Sequence, residues 1–142
     1  MAFETVHSVC EYYDGPRSGF ADYRGQLHHF TSEGLDVTEE CEDFFVLTPI
    51  DTEILPLVLE SEQIWRDWEA AFHRGEAPES THPGLPGQNA RFAELDAILK
   101  NKVAGSSLVT ERVRATFRAQ PGQDGLPPGI IRKLEVEWSE FD

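Results

Sequence analysis

Polar and aromatic side chains gather around one predicted turn near the start of the chain. Residues 14–19 read Asp-Gly-Pro-Arg-Ser-Gly, a run of turn-forming residues between two stretches that favour β-structure. Aromatic rings beside a single arginine and an aspartate can stack on a small molecule and orient it. The candidate ligand-binding residues of this region, 12–23 and the strand after it, are Tyr13, Asp14, Arg17, Asp22, Tyr23 and His28. The alternative is a turn that only shapes the chain, with the arginine paired to a neighbouring acid.

Histidines and cysteines could supply a metal site. Cys10, Cys41 and one histidine of the His28-His29 pair make a possible zinc set, but the closely spaced ligand pairs that mark zinc sites are missing. Adjacent histidines on a strand point to opposite faces, so the two cannot share one metal. A cation site in the acidic stretch also lacks the EF-hand spacing. We predict no metal and no cofactor.

Nucleophilic catalysis has no support in the sequence. Cys10 lies in an apolar predicted strand, where burial makes a thiol inert, and Cys41 lies among acids that disfavour a thiolate. Signatures of serine hydrolases, P-loop enzymes and dinucleotide-binding enzymes are absent from the sequence. We therefore predict no catalytic residues, although an enzyme that uses the 12–23 region stays open as an alternative.

Acidic residues are concentrated in the first half of the chain. Residues 1–65 contain 14 acids and two bases, and no lysine or arginine occurs between Arg24 and Arg66. Such a field repels nucleic acid and anionic lipid and attracts a cationic surface. The sequence therefore favours a module that binds a basic protein, as an inhibitor, immunity protein or adaptor does. The candidate contact residues are Glu33, Asp36, Glu39, Glu40, Glu42 and Asp43. The alternative is a solvated surface that only keeps the protein soluble.

Length and composition limit the class of protein. The chain has 142 residues, a net charge of -14 and 39% hydrophobic residues. It is long enough for one domain, residues 1–142, and apolar enough to bury a core. We expect a cytoplasmic protein without membrane or nucleic-acid partners, because the sequence shows no long apolar run, no leader and no cationic cluster. Two cysteines are too few for a disulfide framework.

Periodicity predicts strands at both ends and helices between them. Residues 5–13, 20–23, 26–31 and 44–47 favour strands, with a tight hairpin turn at Arg24-Gly25 that pairs Tyr23 with Gln26. A helix is predicted to begin near Asp51 or Thr52, either of which can cap it, and to stop at Gly75. A second helix contains Phe92 to Leu99, and residues 75–88 read as a connection.

The C-terminal part of the chain is typical of a hairpin. Residues 112–118 and 133–139 both alternate with period two, and a Gly- and Pro-rich loop at 120–129 separates them. Their outward faces could match arginine against glutamate across the strands. The predicted fold is a single α+β domain, in which an antiparallel sheet of N- and C-terminal strands carries two inserted helices on one face.

Three phrases carry a resemblance to other proteins. YYDGPRSGFADYRGQLHHF, FFVLTPID and IWRDWEAAFHRG are similar to those of a small bacterial protein family of unknown function, over residues 10–75. The resemblance implies a bacterial source, and it assigns no activity and no residue role.

Overall fold

The computed structural model describes residues 3–12, 16–33, 44–105, 110–123, 125–126 and 132–140. Its strands are β1 (Glu4–Tyr12), β2 (Pro16–Tyr23), β3 (Gln26–Glu33), β4 (Phe44–Pro49), β5 (Glu111–Ala119) and β6 (Leu134–Glu140). Two helices, α1 (Leu55–His73) and α2 (Ala90–Gly105), lie between β4 and β5 in the chain. Short 3-10 turns at Thr52–Ile54 and Glu79–Thr81 precede them.

The six strands form a closed antiparallel barrel in the order of the sequence. Across the helical insertion, β4 pairs with β5, and the barrel closes where Glu4 and Thr5 of β1 pair with Val136 and Glu135 of β6. The predicted α+β sheet with both helices on one face is therefore wrong, because a closed barrel belongs to a mostly-β class. Period-two alternation describes a barrel strand and a sheet strand equally well, so closure could not be predicted from it.

The barrel interior is filled with apolar side chains. Phe30 and Phe45 are fully buried, and their rings pack against Phe117 and Trp138 with centroids 5.6–6.1 Å apart. The other buried members of this core are Val6, Ala21, Tyr23, Leu47, Val113 and Val136. The alternation that predicted inward faces for both C-terminal strands is confirmed, since these rings lie on the lumen side.

A second core joins the outside of the barrel to the helices. Phe20 of β2 and Leu27 of β3 point outward and pack with Val58 of α1 and Leu99 of α2. Ile50 and Ile54, in the connection from β4 to α1, complete it. The helices thus cover the wall that β2 and β3 form, and these two strands are apolar on both faces for that reason.

Local signals in the sequence are confirmed at the turns. Arg24 and Gly25 have φ angles of 53° and 77° and connect β2 to β3, with Tyr23 opposite Gln26. The carboxylate of Glu4 accepts hydrogen bonds from both turn amides, at 3.1 and 2.8 Å. Arginine and glutamate do match across the C-terminal hairpin, where Arg118 donates to Glu135.

Helix termini also lie where side-chain chemistry predicts them. The Asp51 carboxylate accepts the Glu53 amide at 2.9 Å, and the chain continues into α1. Gly75, with a φ of 76°, ends α1, and its amide donates to the Phe72 carbonyl at 3.0 Å. Asn89 caps α2 by accepting the Phe92 amide at 2.8 Å.

Strand β1 crosses β2 unusually closely. The pairing of β1 with β2 has register shifts on both sides of the Ser8 and Val9 pairs, as β-bulges produce. At Gly19 of β2, a Cβ atom would lie 2.0 Å from the Ser8 carbonyl oxygen. Glycine is therefore required at this crossing, because any side chain would displace the backbone of β1.

Gly19→Ala is expected to destabilise the barrel. The added methyl group meets backbone and not a flexible side chain, so we expect a loss of about 1–3 kcal/mol in the free energy of unfolding. Urea denaturation followed by tryptophan fluorescence measures it. Gly105→Ala is the matched control, since a Cβ there meets nothing within 4 Å. Equal stability of the two variants would contradict the close crossing.

An exposed ion pair links the two helices. Arg91 of α2 donates to both carboxylate oxygens of Glu60 on α1, each at 2.7 Å, and also to Glu94. The hydrogen bond from Arg91 holds the pKa of Glu60 below its ordinary value. The paired carboxylate is the charged form, so the stabilisation is present at neutral pH and is lost as the pH falls through the lowered pKa.

Arg91→Gln should therefore raise the pKa of Glu60 toward its ordinary value. Side-chain NMR titration of Glu60 measures this shift directly. We also expect the stability difference between the parent protein and the variant to shrink as the solution is acidified. Lys102→Gln removes one positive charge from the same helix and serves as the control. A Glu60 pKa that moves equally in both variants would contradict the pairing.

Candidate ligand-binding cleft

The structure separates the residues predicted to form a ligand site in region 12–23. Tyr23 and His28 are buried and meet edge to face with ring centroids 5.2 Å apart. The Tyr23 hydroxyl donates to Glu111 at 2.7 Å, and the His28 Nδ1 atom bonds the Gln26 carbonyl at 2.8 Å. Both rings are therefore part of the packed barrel, at the end where the turn connects β2 to β3.

The polar residues predicted for the same ligand site lie apart from these rings. Asp22, on the outer side of β2, bonds the His7 Nε2 atom at 2.9 Å, and Arg17 is half-buried on the same strand. Tyr13 and Asp14 lie outside the described residues. The structure thus brings Tyr23 and His28 into contact, whereas Asp22 lies away from both rings.

The predicted partner-binding acids lie almost entirely outside the described residues. Glu33 is the last residue of β3, and its backbone pairs with Phe44. The remaining acids, Asp36, Glu39, Glu40, Glu42 and Asp43, fall in the undescribed part of the chain. The hypothesis of a basic partner stays a prediction.

A large cleft lies between the barrel and the helices. Its volume is about 730 Å³, and β1, β2 and β3 form its floor while α1 and α2 form its sides. Ligand sites in proteins commonly have volumes of about 300–1,000 Å³. Most of the lining is apolar, and it includes Val9, Phe20, Trp65, Phe92, Leu99 and Val103.

Small polar side chains line the floor of the cleft. Ser8, Cys10, Ser18 and Thr31 project from the strands, and the His29 ring meets Phe20 edge to face at 5.2 Å. Hydroxyl and imidazole groups both donate and accept hydrogen bonds. The floor can therefore orient the polar groups of a ligand whose body contacts the apolar sides.

The connection between the helices contributes one wall of the cleft. Trp68 of α1 donates from its indole nitrogen to the Thr81 hydroxyl at 3.0 Å, and its ring meets His82 at 4.6 Å. The Gly84 amide donates to the His82 Nδ1 atom at 2.9 Å, which places the ring proton on Nε2 when the ring is neutral. Sequence reasoning missed His82 and Gly84, because Pro- and Gly-rich segments carry no periodic signal.

A group of three charges lies at one end of the cleft. Arg66 of α1 contacts Glu62 at 2.6 Å and Glu69 at 3.6 Å, and all three side chains are at most 13% exposed. Glu62 also accepts the Val9 amide of β1 at 3.4 Å. Buried carboxylates require such compensation, and Glu62 also joins α1 to the bulged part of β1 through the Val9 amide.

A second, smaller cavity lies on the other side of these charges. Its volume is about 370 Å³, and it shares Ser8, Val9, Glu62 and Arg66 with the cleft. Its other lining residues are Thr5, Val6, His7, Leu59, Gln63, Gln120, Lys133 and Leu134. The two cavities therefore meet at the Glu62–Arg66 pair.

Some residues of the cleft wall occur in recognisable sequence patterns, but an ordinary helix explains those patterns equally well. Trp65 belongs to the helix that the sequence predicts before Gly75, and it lies half-buried in the cleft wall. Glu62 and Arg66 have the four-residue spacing of a helical ion pair, which usually marks an exposed face. Within the described ranges, no three His, Cys, Asp or Glu side chains are grouped closely enough to hold a metal ion.

Comparison with known proteins finds no relative of this chain. Among the residues that the structure describes, neither helix is long and apolar enough to cross a membrane. No family model, no curated protein and no solved structure matches the chain.

Proposed function

We propose that this protein binds a small, mostly apolar molecule in the cleft between barrel and helices. The observation that carries the proposal is the cleft of about 730 Å³, whose walls present aromatic and aliphatic side chains. Covering apolar surface releases about 25 cal/mol per Å². A ligand that fills such a cleft gains affinity from this burial, and the serine, threonine and histidine side chains of the floor orient it.

The walls of the cleft are held in place without a ligand. Phe20 of β2 and Leu99 of α2 pack in the second core, and Glu62 of α1 accepts the Val9 amide of β1. Arg91 links α2 to α1 through Glu60. Since both helices are fixed to the barrel and to each other, little conformational entropy is lost on binding.

Ala104→Trp should block the cleft. Ala104 lies near the end of α2 and lines the cleft, so an indole at this position competes with a ligand for the same space. The probe is N-phenyl-1-naphthylamine, a neutral apolar dye that becomes fluorescent in apolar surroundings. We expect at least about tenfold weaker binding of the dye, which corresponds to about 1.4 kcal/mol.

Ala97→Trp is the matched control, because Ala97 is exposed on the same helix and does not line the cleft. Protection of a thiol provides a second readout. Cys10 is an exposed cysteine that lines the cleft, and the dye should slow its alkylation by iodoacetamide in a Cys41→Ser background. Equal dye affinity of the two tryptophan variants, together with an unprotected thiol, would overturn the proposal.

A second proposal, binding of a basic protein partner, is supported by charge. Residues 1–65 carry 14 acids and two bases, and exposed charges act over about 8 Å at physiological salt. Such a field accelerates association with a cationic partner at low salt. The substitutions that test the two proposals are at different positions in the sequence, so the two functions can be tested separately.

Neutralising part of the acidic segment should slow that association. The variant Glu39→Gln, Glu40→Gln, Glu42→Gln is compared with Glu53→Gln, Glu76→Gln, Glu79→Gln, which removes the same charge from exposed positions elsewhere. The partner is a basic protein retained on the immobilised chain at low salt and identified by mass spectrometry. We expect a lower association rate and a flatter salt dependence for the first variant only. An identical salt dependence for both variants would contradict a local acidic contact surface.

A further inference from the structure

Two adjoining cavities of different character lie along one side of the barrel. The surface of the cleft is mostly apolar, whereas the second cavity has a larger share of polar residues, among them His7, Gln63, Gln120 and Lys133. Ser8, Val9, Glu62 and Arg66 belong to both linings. A ligand long enough to pass these four residues would have apolar surroundings at one end and polar surroundings at the other.

The cations of the two linings differ in their partners. Arg66 contacts Glu62 at 2.6 Å, and Lys100 contacts Asp96 at 2.9 Å. Lys133, by contrast, has no ion-pair partner within the part of the chain that the structure describes. Lys133 is therefore the cation best able to accept a new negative charge.

The backbone of Lys133 is held firmly beside the second cavity. Its amide donates to the Gln123 side-chain oxygen at 3.1 Å, and its carbonyl accepts the Gln120 amide at 2.9 Å. Gln120 also donates from its side chain to the Leu134 carbonyl at 2.8 Å. The connection between β5 and β6 thus places the lysine at this cavity, while its exposed side chain keeps the freedom to reach a ligand.

We propose that the ligand is an elongated amphipathic anion of the fatty-acid type, with its apolar chain in the cleft and its carboxylate beside Lys133 in the second cavity. This inference rests on the proposed function, since it names the ligand class of the same cleft. In a protein with a net charge of -14, an anion needs a local cation to overcome the general repulsion. Lys133 supplies that cation, and a charge-assisted hydrogen bond to a carboxylate is about twice as strong as a neutral one.

Dodecanoate and dodecan-1-ol test the position of the charge, because they share an alkyl chain and differ in their polar end. Each displaces N-phenyl-1-naphthylamine from the protein at low ionic strength, below its micellar concentration. We expect dodecanoate to bind about tenfold more tightly than the alcohol. Lys133→Gln should remove that preference and leave the affinity for the alcohol unchanged.

Lys102→Gln is the matched control, since Lys102 is exposed on α2 and lines neither cavity. Equal affinities for the acid and the alcohol in the parent protein would overturn the proposal, as would a preference that survives Lys133→Gln. Dye binding that Ala104→Trp weakens, but that neither amphiphile displaces, would refute the ligand class and keep the cleft as a binding site. Absence of dye binding would refute both the cleft as a binding site and the fatty-acid-type ligand.

Discussion

Four large aromatic side chains inside the barrel form the contact on which the rest of the structure depends. Phe30, Phe45, Phe117 and Trp138 come from four consecutive strands, and all six ring pairs have centroids 5.6–6.1 Å apart. Their packing joins β3 and β4, which precede the helices, to β5 and β6, which follow them. Because these rings fill the lumen, β4 and β5 can pair across a long insertion and the sheet closes.

A filled lumen has a consequence for where a ligand can bind. The interior of this barrel is a packed core, and the cleft lies outside it, between the strands and the helices. The bulged strand β1 and the glycine of β2 at position 19 shape the floor there, since the strands cross closely at that point. Small side chains on the floor, such as Ser8 and Ser18, leave room that a larger residue would occupy.

The charged side chains of the helices and of the second cavity have different roles. Glu62, Arg66 and Glu69 of α1 are nearly buried and compensate one another, and Glu62 joins this helix to β1 by accepting the Val9 amide. The pair of Glu60 with Arg91 is exposed, and it contributes through a hydrogen-bonded link between helices that depends on pH. Lys133 is held through its backbone, and its ammonium group has no ion-pair partner among the residues that the structure describes.

Local chemistry explains which elements were predicted from the sequence. The hairpin turn at Arg24 and Gly25, the cap at Asp51 and the stop at Gly75 each depend on residues close in the chain, and the structure confirms all three. Strand alternation also determined which side chains of β5 and β6 point inward. Closure of the barrel depends on strand pairs that are distant in the chain, such as Glu4 with Val136. Such pairs leave no periodic signal in the sequence, so closure could not be predicted from it. The cleft was decided in the same way, since Ser18, Trp65 and Phe92 line it from segments far apart in the sequence and only tertiary packing brings them together.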